Sequence, residues 1–272
     1  MSYEYIILEK SGGIARLTLN RPTKMNAMSR ALLREFDAAI SDVRQDKALK
    51  VLVVKGAGRT FTAGYDWKDP ERPTHEGMSA SEVLLEMRTT GKINMDRWLQ
   101  LWELPQAVVA QVHGYCLAGG LGLAMFCDIV IAAEDASFGY PIARTGVGAQ
   151  HLWPWHLGPM KTKELLFTGD SISGKEAERI GMINRAVPLD KLEEEVNKLV
   201  AKIDSMPSEQ INLHKIATNR TFEMMGFKNA LNYVLELHAY GHATPANEGF
   251  DKDLKEKGLK AALEARDKDF KS

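Results

Sequence analysis

Three observations predict an α/β fold with a mainly parallel sheet and a helical C-terminal region. Short apolar strand patterns alternate with helix-period patterns through the first half of the chain. Small-residue turns follow two of those strands, as crossover connections require. After about residue 160 the β signal fades and helical periodicity takes over.

From Ile14 to Leu19 the side chains alternate, Ile14, Arg16 and Thr18 against Ala15, Leu17 and Leu19, which suits a strand. Ser29 is placed to cap a helix in which Leu32, Leu33, Phe36, Ala39, Ile40 and Val43 recur at three- and four-residue steps. Val51 to Val54 is a continuous apolar run closed by Lys55 and Gly56, the pattern of a strand buried on both faces. A helix over 79–103 then leads to a strand from Val108 to Val112. A Gly-rich turn follows, with a helix at 119–126 and a strand from Ile129 to Ala132. Segments 161–168, 174–180, 190–204, 207–219 and 222–240 read as helices. Asn247 to Ser272 is rich in charge, yet Phe250, Leu254, Leu259, Ala262, Leu263 and Phe270 give it an apolar side, so a docked terminal helix is expected. These patterns divide the chain into an α/β core over 1–200 and a helical C-terminal region over 201–272.

The 272 residues carry 35 basic and 36 acidic side chains, a formal net charge of −1. No cationic surplus exists to neutralise many phosphates, which excludes nucleic acid as the main partner and a basic membrane-surface role. Cys116 and Cys127 are the only cysteines. Two thiols in so long a chain point to a reducing compartment rather than a disulfide framework. The stretch MSYEYIILEK lacks the basic start and apolar run of a signal peptide. Runs such as Ile129 to Ala133 fall far short of the roughly 20 residues that span a bilayer. A cytoplasmic protein with no membrane partner is expected.

Gly56-Ala57-Gly58 and Gly120-Leu121-Gly122 begin like dinucleotide loops but lack the third glycine and the acidic residue after a second strand. GxSxG, GxxxxGK[ST] and HExxH do not occur, and His151 and His156, five apart with Pro154 between them, do not share a helical face. No metal site is expected. Two turns carry more information: Phe61 to Trp67 and Tyr115 to Gly122, where small residues follow a strand and precede an expected helix. Each leaves backbone N–H groups free. If both point at one carbonyl oxygen, they form an oxyanion hole. Spacing alone reads equally as two tight turns built of small residues for packing.

The run Leu19-Asn20-Arg21-Pro22-Thr23-Lys24-Met25-Asn26-Ala27-Met28, the turn Phe61-Thr62-Ala63-Gly64-Tyr65-Asp66, the stretch Gly114 through Gly120 and the pair Cys127-Asp128 resemble the crotonase (enoyl-CoA hydratase/isomerase) superfamily. Ala136-Ser137-Phe138-Gly139, Leu166-Phe167-Thr168-Gly169-Asp170 and Gly181-Met182-Ile183-Asn184 follow in the expected order, so the resemblance covers nearly the whole chain. It implies a spiral of ββα units whose C-terminal helices pack subunits into homotrimers, often paired as hexamers. It also implies that the N–H groups of Tyr65 and Gly119 grip the carbonyl of an acyl-CoA thioester. Coenzyme A, as part of the substrate and with no separate cofactor, would bend over Lys24, Met25 and the turn Ala63, Gly64, Tyr65 and Asp66.

The sequence departs from that pattern where the hydratases carry two glutamates, one three residues after the oxyanion glycine and one directly after a proline. Those positions hold Gly122 and Ile142. Neither side chain can position water or move a proton, so two-glutamate hydration is not expected. Replacement candidates lie between Phe138 and Trp153. His151 titrates near neutrality, Tyr140 can donate a hydrogen bond, Arg144 can hold a second carboxylate or carbonyl, and Gln150 can orient water. Each reads also as structure, His151 and His156 as polar edges of a cluster with Trp153 and Trp155. Asp66 reads as a base or as a helix cap. Trp67, Trp98, Trp102, Trp153 and Trp155 read as core or as walls around a cyclic or aromatic acyl group. The expected function is an acyl-CoA enzyme that stabilises a thioester enolate. A non-catalytic acyl-CoA-binding protein is one alternative. A carbon–carbon bond hydrolase of a β-dicarbonyl compound is another. Gly148 through Pro154 with Leu157-Gly158 resembles the β-diketone hydrolase branch, although that branch's acidic residue falls on Val147.

Overall fold

The computed structural model describes residues 3–73, 75, 77–146 and 152–270. Among them nine strands form two sheets: β1 (Ile6–Ser11), β2 (Ile14–Leu19), β3 (Val51–Gly56), β4 (Ala107–Val112), β5 (Tyr115–Leu117), β6 (Ile129–Ala133), β7 (Ser137–Gly139), β8 (Ser171–Ser173) and β9 (Arg185–Val187). The larger sheet runs β1-β2-β3-β4-β6-β9 and the smaller β5-β7-β8. The β2–β3, β3–β4, β4–β6 and β6–β9 pairs are parallel, as the alternation of strands and helices predicts. The β1–β2 pair departs from that pattern. It is an antiparallel hairpin closed at Ser11 and Ile14, because two residues between strands leave no length for a crossover. The fading of β signal after residue 160 is also corrected by β8 and β9, three residues each and too short to show a period.

The core lies between this sheet and the helices against it. Val51, Leu52, Val53 and Val54 are fully buried, as their continuous apolar run predicts. In α1 (Arg30–Gln45) the buried residues are Leu32, Leu33, Phe36, Ala39, Ile40 and Val43, the stripe expected from spacing. The Ser29 hydroxyl accepts from the Leu32 N–H at 3.2 Å, a cap worth about 1 kcal/mol. Helix α2 (Ala80–Trp102) opens on a capping box between Ser79 and Glu82. A short α3 (Gly119–Met125) follows β5. Helix α4 (Trp153–Thr168) starts earlier than its apolar pattern predicts, because Pro154 fits its first turn, and it bends at Gly158 before Pro159.

Beyond α5 (Gly174–Arg179) and α6 (Leu192–Asp204), helices α7 (Ser208–Met224), α8 (Phe227–His242) and α9 (Pro245–Asp267) complete the chain. Lys215 of α7 reaches under the sheet, donating to Leu101 O at 2.9 Å, Gln106 O at 3.1 Å and the Asp128 carboxylate at 2.7 Å. Helix α9 is docked, as its apolar side predicts. Phe250 meets Trp67 edge-on with centroids 5.1 Å apart, and Asp251 pairs with Arg72 at 2.9 Å. Both cysteines are free and buried, and burial pushes both thiols up. Among the described residues no helix is long and apolar enough to cross a membrane.

Candidate active site

The two small-residue turns meet. An isolated parallel bridge joins Thr62 to Cys116, with Thr62 N–H donating to Tyr115 O at 2.9 Å and Leu117 N–H to Thr62 O at 3.2 Å. A second bridge joins Met28 to Tyr65. Met28 N–H donates to Gly64 O at 2.8 Å, and Asp66 N–H donates to Met28 O at 3.1 Å. Since Met28 engages the groups flanking Tyr65, the N–H of Tyr65 itself faces the opposite side, as alternation along an extended chain requires. The Gly119 N–H opens α3, where the first amides have no intrahelical acceptor. Among the described residues neither amide meets a protein acceptor.

Gly64 brings these amides together. Its φ of +97° lies in the region that favours glycine, and a Cβ there would stand 2.9 Å from Leu117 O and 3.4 Å from the Gly119 nitrogen. Ala118, between β5 and α3, is held at φ 49° and ψ −115°, a strained conformation for a residue with a side chain. Such strain persists only where the surroundings enforce it. Here they include the Ala118 N–H donated to Gly139 O at 3.0 Å.

Asn26 fixes the loop that carries Lys24 and Met25. It is fully buried, accepts from Arg21 N–H at 2.9 Å and donates to Ala57 O and Thr60 O at 2.8 Å each. Met25 and Asn26 both sit at φ 51°. Met25 O accepts from Ala63 N–H at 3.0 Å, which ties this loop to the first turn. Lys24 stands exposed at the end of a single 3-10 turn over Pro22–Lys24. Lys24, Met25, Ala63, Gly64, Tyr65 and Asp66 are thus on adjoining loops.

Asp66 does not begin a helix, contrary to the expectation for the first turn. Pro70 and Pro73 interrupt the following segment, and α2 starts only at Ala80. The carboxylate instead pairs with Arg21 at 2.9 Å and accepts from Lys68 N–H at 2.9 Å. Sequence reasoning missed Arg21 as its partner, because 45 positions separate the two. Arg144 is likewise occupied, donating to Thr168 O at 2.8 Å, Asp267 at 2.9 Å and Asp170 at 3.0 Å, with Phe270 stacked at 4.3 Å. It anchors the chain end, and its reading as a holder of substrate is set aside. His113 caps its strand by bonding to Gly58 O at 2.8 Å. Gln150 and His151 lie outside the described residues.

The Tyr65 ring lies across Gly119, where a Cβ would meet its Cε2 at 2.5 Å and its Cζ at 2.9 Å. Burial raises the pKa of its hydroxyl, keeping it protonated, and Arg97 and the Trp98 indole oppose this in part. Gly122 lies under Trp98, whose Nε1 would stand 3.4 Å from a Cβ there. Tyr140 is 7% exposed and meets Trp153 edge-on with centroids 6.4 Å apart. Ile142 sits half-buried in the 3-10 turn over Pro141–Arg144. Among the described residues no cluster of His, Cys, Asp or Glu is arranged to hold a metal ion.

A parallel sheet continued by ββα turns, with two turns presenting unengaged amides side by side, defines an α/β enzyme of the crotonase fold. Residues 9–272 match the enoyl-CoA hydratase/isomerase family, and the chain belongs to it. A crotonyl-CoA hydratase of Syntrophomonas wolfei is 35% identical over 276 residues, covering 99% of both chains. Among solved structures, an enoyl-CoA hydratase/isomerase from Xanthobacter autotrophicus Py2 superposes with a TM-score of 0.89 at 32% identity, covering 100% of both chains. A monofunctional enoyl-CoA isomerase from Mycobacterium smegmatis gives a TM-score of 0.65 at 29% identity, covering 82% of this chain and 94% of that one.

Proposed function

We propose that the protein binds an acyl-CoA thioester and stabilises its enolate between the Tyr65 and Gly119 amides. The observation that carries this reading is the approach of Gly64 to the Gly119 nitrogen, which sets two unengaged N–H groups beside each other. Such donors, fixed before the reaction, act on charge that develops at the carbonyl oxygen, each worth about 3–4 kcal/mol in the transition state. The crotonyl-CoA hydratase and the enoyl-CoA isomerase that the chain is similar to support a CoA thioester as the ligand. Coenzyme A then lies along Lys24, Met25 and the Ala63 to Asp66 turn, with Lys24 offering its exposed ammonium to phosphate.

Hydration by paired glutamates is not part of this reading. Gly122 and Ile142 carry no acid or base, and Asp66 is committed to Arg21. Proton transfer falls to another group, with His151, Gln150 and Tyr140 as candidates. The same reading makes the protein a cytoplasmic homotrimer or a dimer of trimers.

Calorimetry with acyl-CoAs and deuterium exchange at the α-carbon in heavy water test the proposal together. Binding with exchange is expected, while crotonyl-CoA is hydrated slowly or not at all. Binding without exchange across a broad acyl panel favours a non-catalytic acyl-CoA-binding protein. Efficient hydration of crotonyl-CoA contradicts the reassignment of proton transfer. Turnover of a free β-diketone, with no CoA affinity and no effect of Lys24→Ala, points to the carbon–carbon hydrolase.

A further inference from the structure

The turn that follows β7 is fixed at its two ends by different parts of the chain. At the first end, Leu117 of β5 pairs with Gly139 of β7, and the next amide, Ala118 N–H, donates to Gly139 O at 3.0 Å. Tyr140 therefore leaves the sheet directly beside the turn that presents the Gly119 amide. From there the backbone closes on itself. Ala143 N–H donates to Tyr140 O, and the N–H groups of Thr145 and Gly146 both donate to Ile142 O, at 3.0 Å each. These bonds make the 140–146 segment a compact unit, and none of them ties it to the rest of the protein.

Arg144 supplies a tie at the far end. Its side chain is 9% exposed, and its guanidinium donates to Thr168 O at the end of α4 at 2.8 Å, to Asp170 at 3.0 Å and to Asp267 at the end of α9 at 2.9 Å. The Phe270 ring stacks on it at 4.3 Å. Asp267 is itself held, because Arg266 donates to its carboxylate at 2.7 and 2.8 Å. The arginine stem runs past Gly169, where a Cβ would stand 2.9 Å from its Cγ and Nε. A planar fork with five N–H donors meets all three acceptors at once, which a side chain with a single donor group cannot do.

We infer that Arg144 is a positioning residue through which residues 267–270 set the 140–146 turn against the acyl site, and so set how firmly the acyl chain is held. The inference rests on the acyl-CoA reading above, in which Tyr140 and Ile142 stand beside the acyl chain. Coenzyme A itself lies along Lys24, Met25 and the Ala63 to Asp66 turn, and none of the Arg144 bonds touches those residues. A change at Arg144 thus separates the two halves of the ligand. The hold on the acyl group weakens, and the hold on coenzyme A stays.

The test measures by calorimetry the dissociation constants of free coenzyme A and of one acyl-CoA in wild type, Arg144→Gln and Asp267→Asn. The acyl-CoA is the one that wild type binds most tightly among straight-chain, branched and aromatic thioesters. In Arg144→Gln the affinity that the acyl group adds to free coenzyme A should shrink by about 10-fold, the equivalent of about two methylene groups left unburied. Affinity for free coenzyme A should not change. Asp267→Asn keeps a neutral acceptor, so its loss should be smaller and in the same direction. Thermal melts establish that each variant is folded. A merely structural Arg144 would lower the melting temperature and leave the two affinities in their wild-type ratio. An undiminished acyl contribution in folded Arg144→Gln, or a loss that falls equally on free coenzyme A, therefore overturns the inference. Where Arg144→Gln does not fold, Asp267→Asn decides by the same ratio. A wild type that binds coenzyme A as tightly as every acyl-CoA also overturns the inference, and one that binds no thioester overturns the acyl-CoA reading itself.

Discussion

Gly64 and the backbone nitrogen of Gly119, 55 residues apart in the chain, approach so closely that a methyl group on Gly64 would stand 3.4 Å from that nitrogen. The same methyl would lie 2.9 Å from Leu117 O, so it cannot be accommodated without moving the β5–α3 turn. Gly64→Ala should therefore slow α-carbon deuterium exchange by about 10²- to 10³-fold, the loss typical of one oxyanion donor. Exchange at the wild-type rate in a folded variant would show that this approach does not matter to the chemistry.

Asn26→Ala should destabilise the protein by about 2–3 kcal/mol, because Ala57 O, Thr60 O and the Arg21 N–H lose their partner inside the protein. Denaturant unfolding measures this directly. Asn26→Asp should recover only the bond from Arg21, since a carboxylate cannot donate to two carbonyls.

The sequence made the repeating parts legible and left the contingent contacts hidden. Alternation from Ile14 to Leu19 and the stripe from Leu32 to Val43 repeat the geometry of their own elements, so a local reading sufficed. Strands β8 and β9 are three residues each and depend on partners elsewhere. The Arg21–Asp66 pair and the seating of Arg144 on Asp267 depend on the path of the chain, which no local pattern records. Both unengaged amides lie in turns that resemble a family's motifs, and spacing alone could not separate them from packing turns.

Lys215→Met should cost about 3–5 kcal/mol, the usual loss when one member of a buried ion pair is removed. Burial pushes Asp128 up and Lys215 down, so neither charge is comfortable alone. The variant also strips a donor from Leu101 O and Gln106 O. Lys215→Met with Asp128→Asn should be less destabilised than the single change, and a double-mutant cycle by denaturant unfolding reads the difference.

Stability should fall with acid through His242. Burial first, then His238, His75 and Arg72, lower its pKa to about 3 from an ordinary value of 6.5. Opposing charges nearby include Glu86, 3.9 Å from His75, and Asp251, paired with Arg72 at 2.9 Å. Below about pH 6.5 the unfolded chain takes up a proton that folded His242 refuses, so stability decreases by up to about 1.4 kcal/mol per pH unit down to pH 3. Above pH 6.5 this group has no effect. His242→Asn should flatten that part of the stability–pH curve, measured by thermal or urea unfolding.

The convergence of the Tyr65 and Gly119 amides on one thioester oxygen is tested most directly by the vibrational spectrum of a bound acyl-CoA whose thioester carbonyl carries carbon-13. Two hydrogen bonds from fixed donors weaken that double bond, so the isotope-edited carbonyl band should move to lower frequency than in water. In Gly64→Ala it should move back. A band at its solution frequency in the wild-type complex would mean that the amides do not hold the carbonyl, and the proposed chemistry would fail with it.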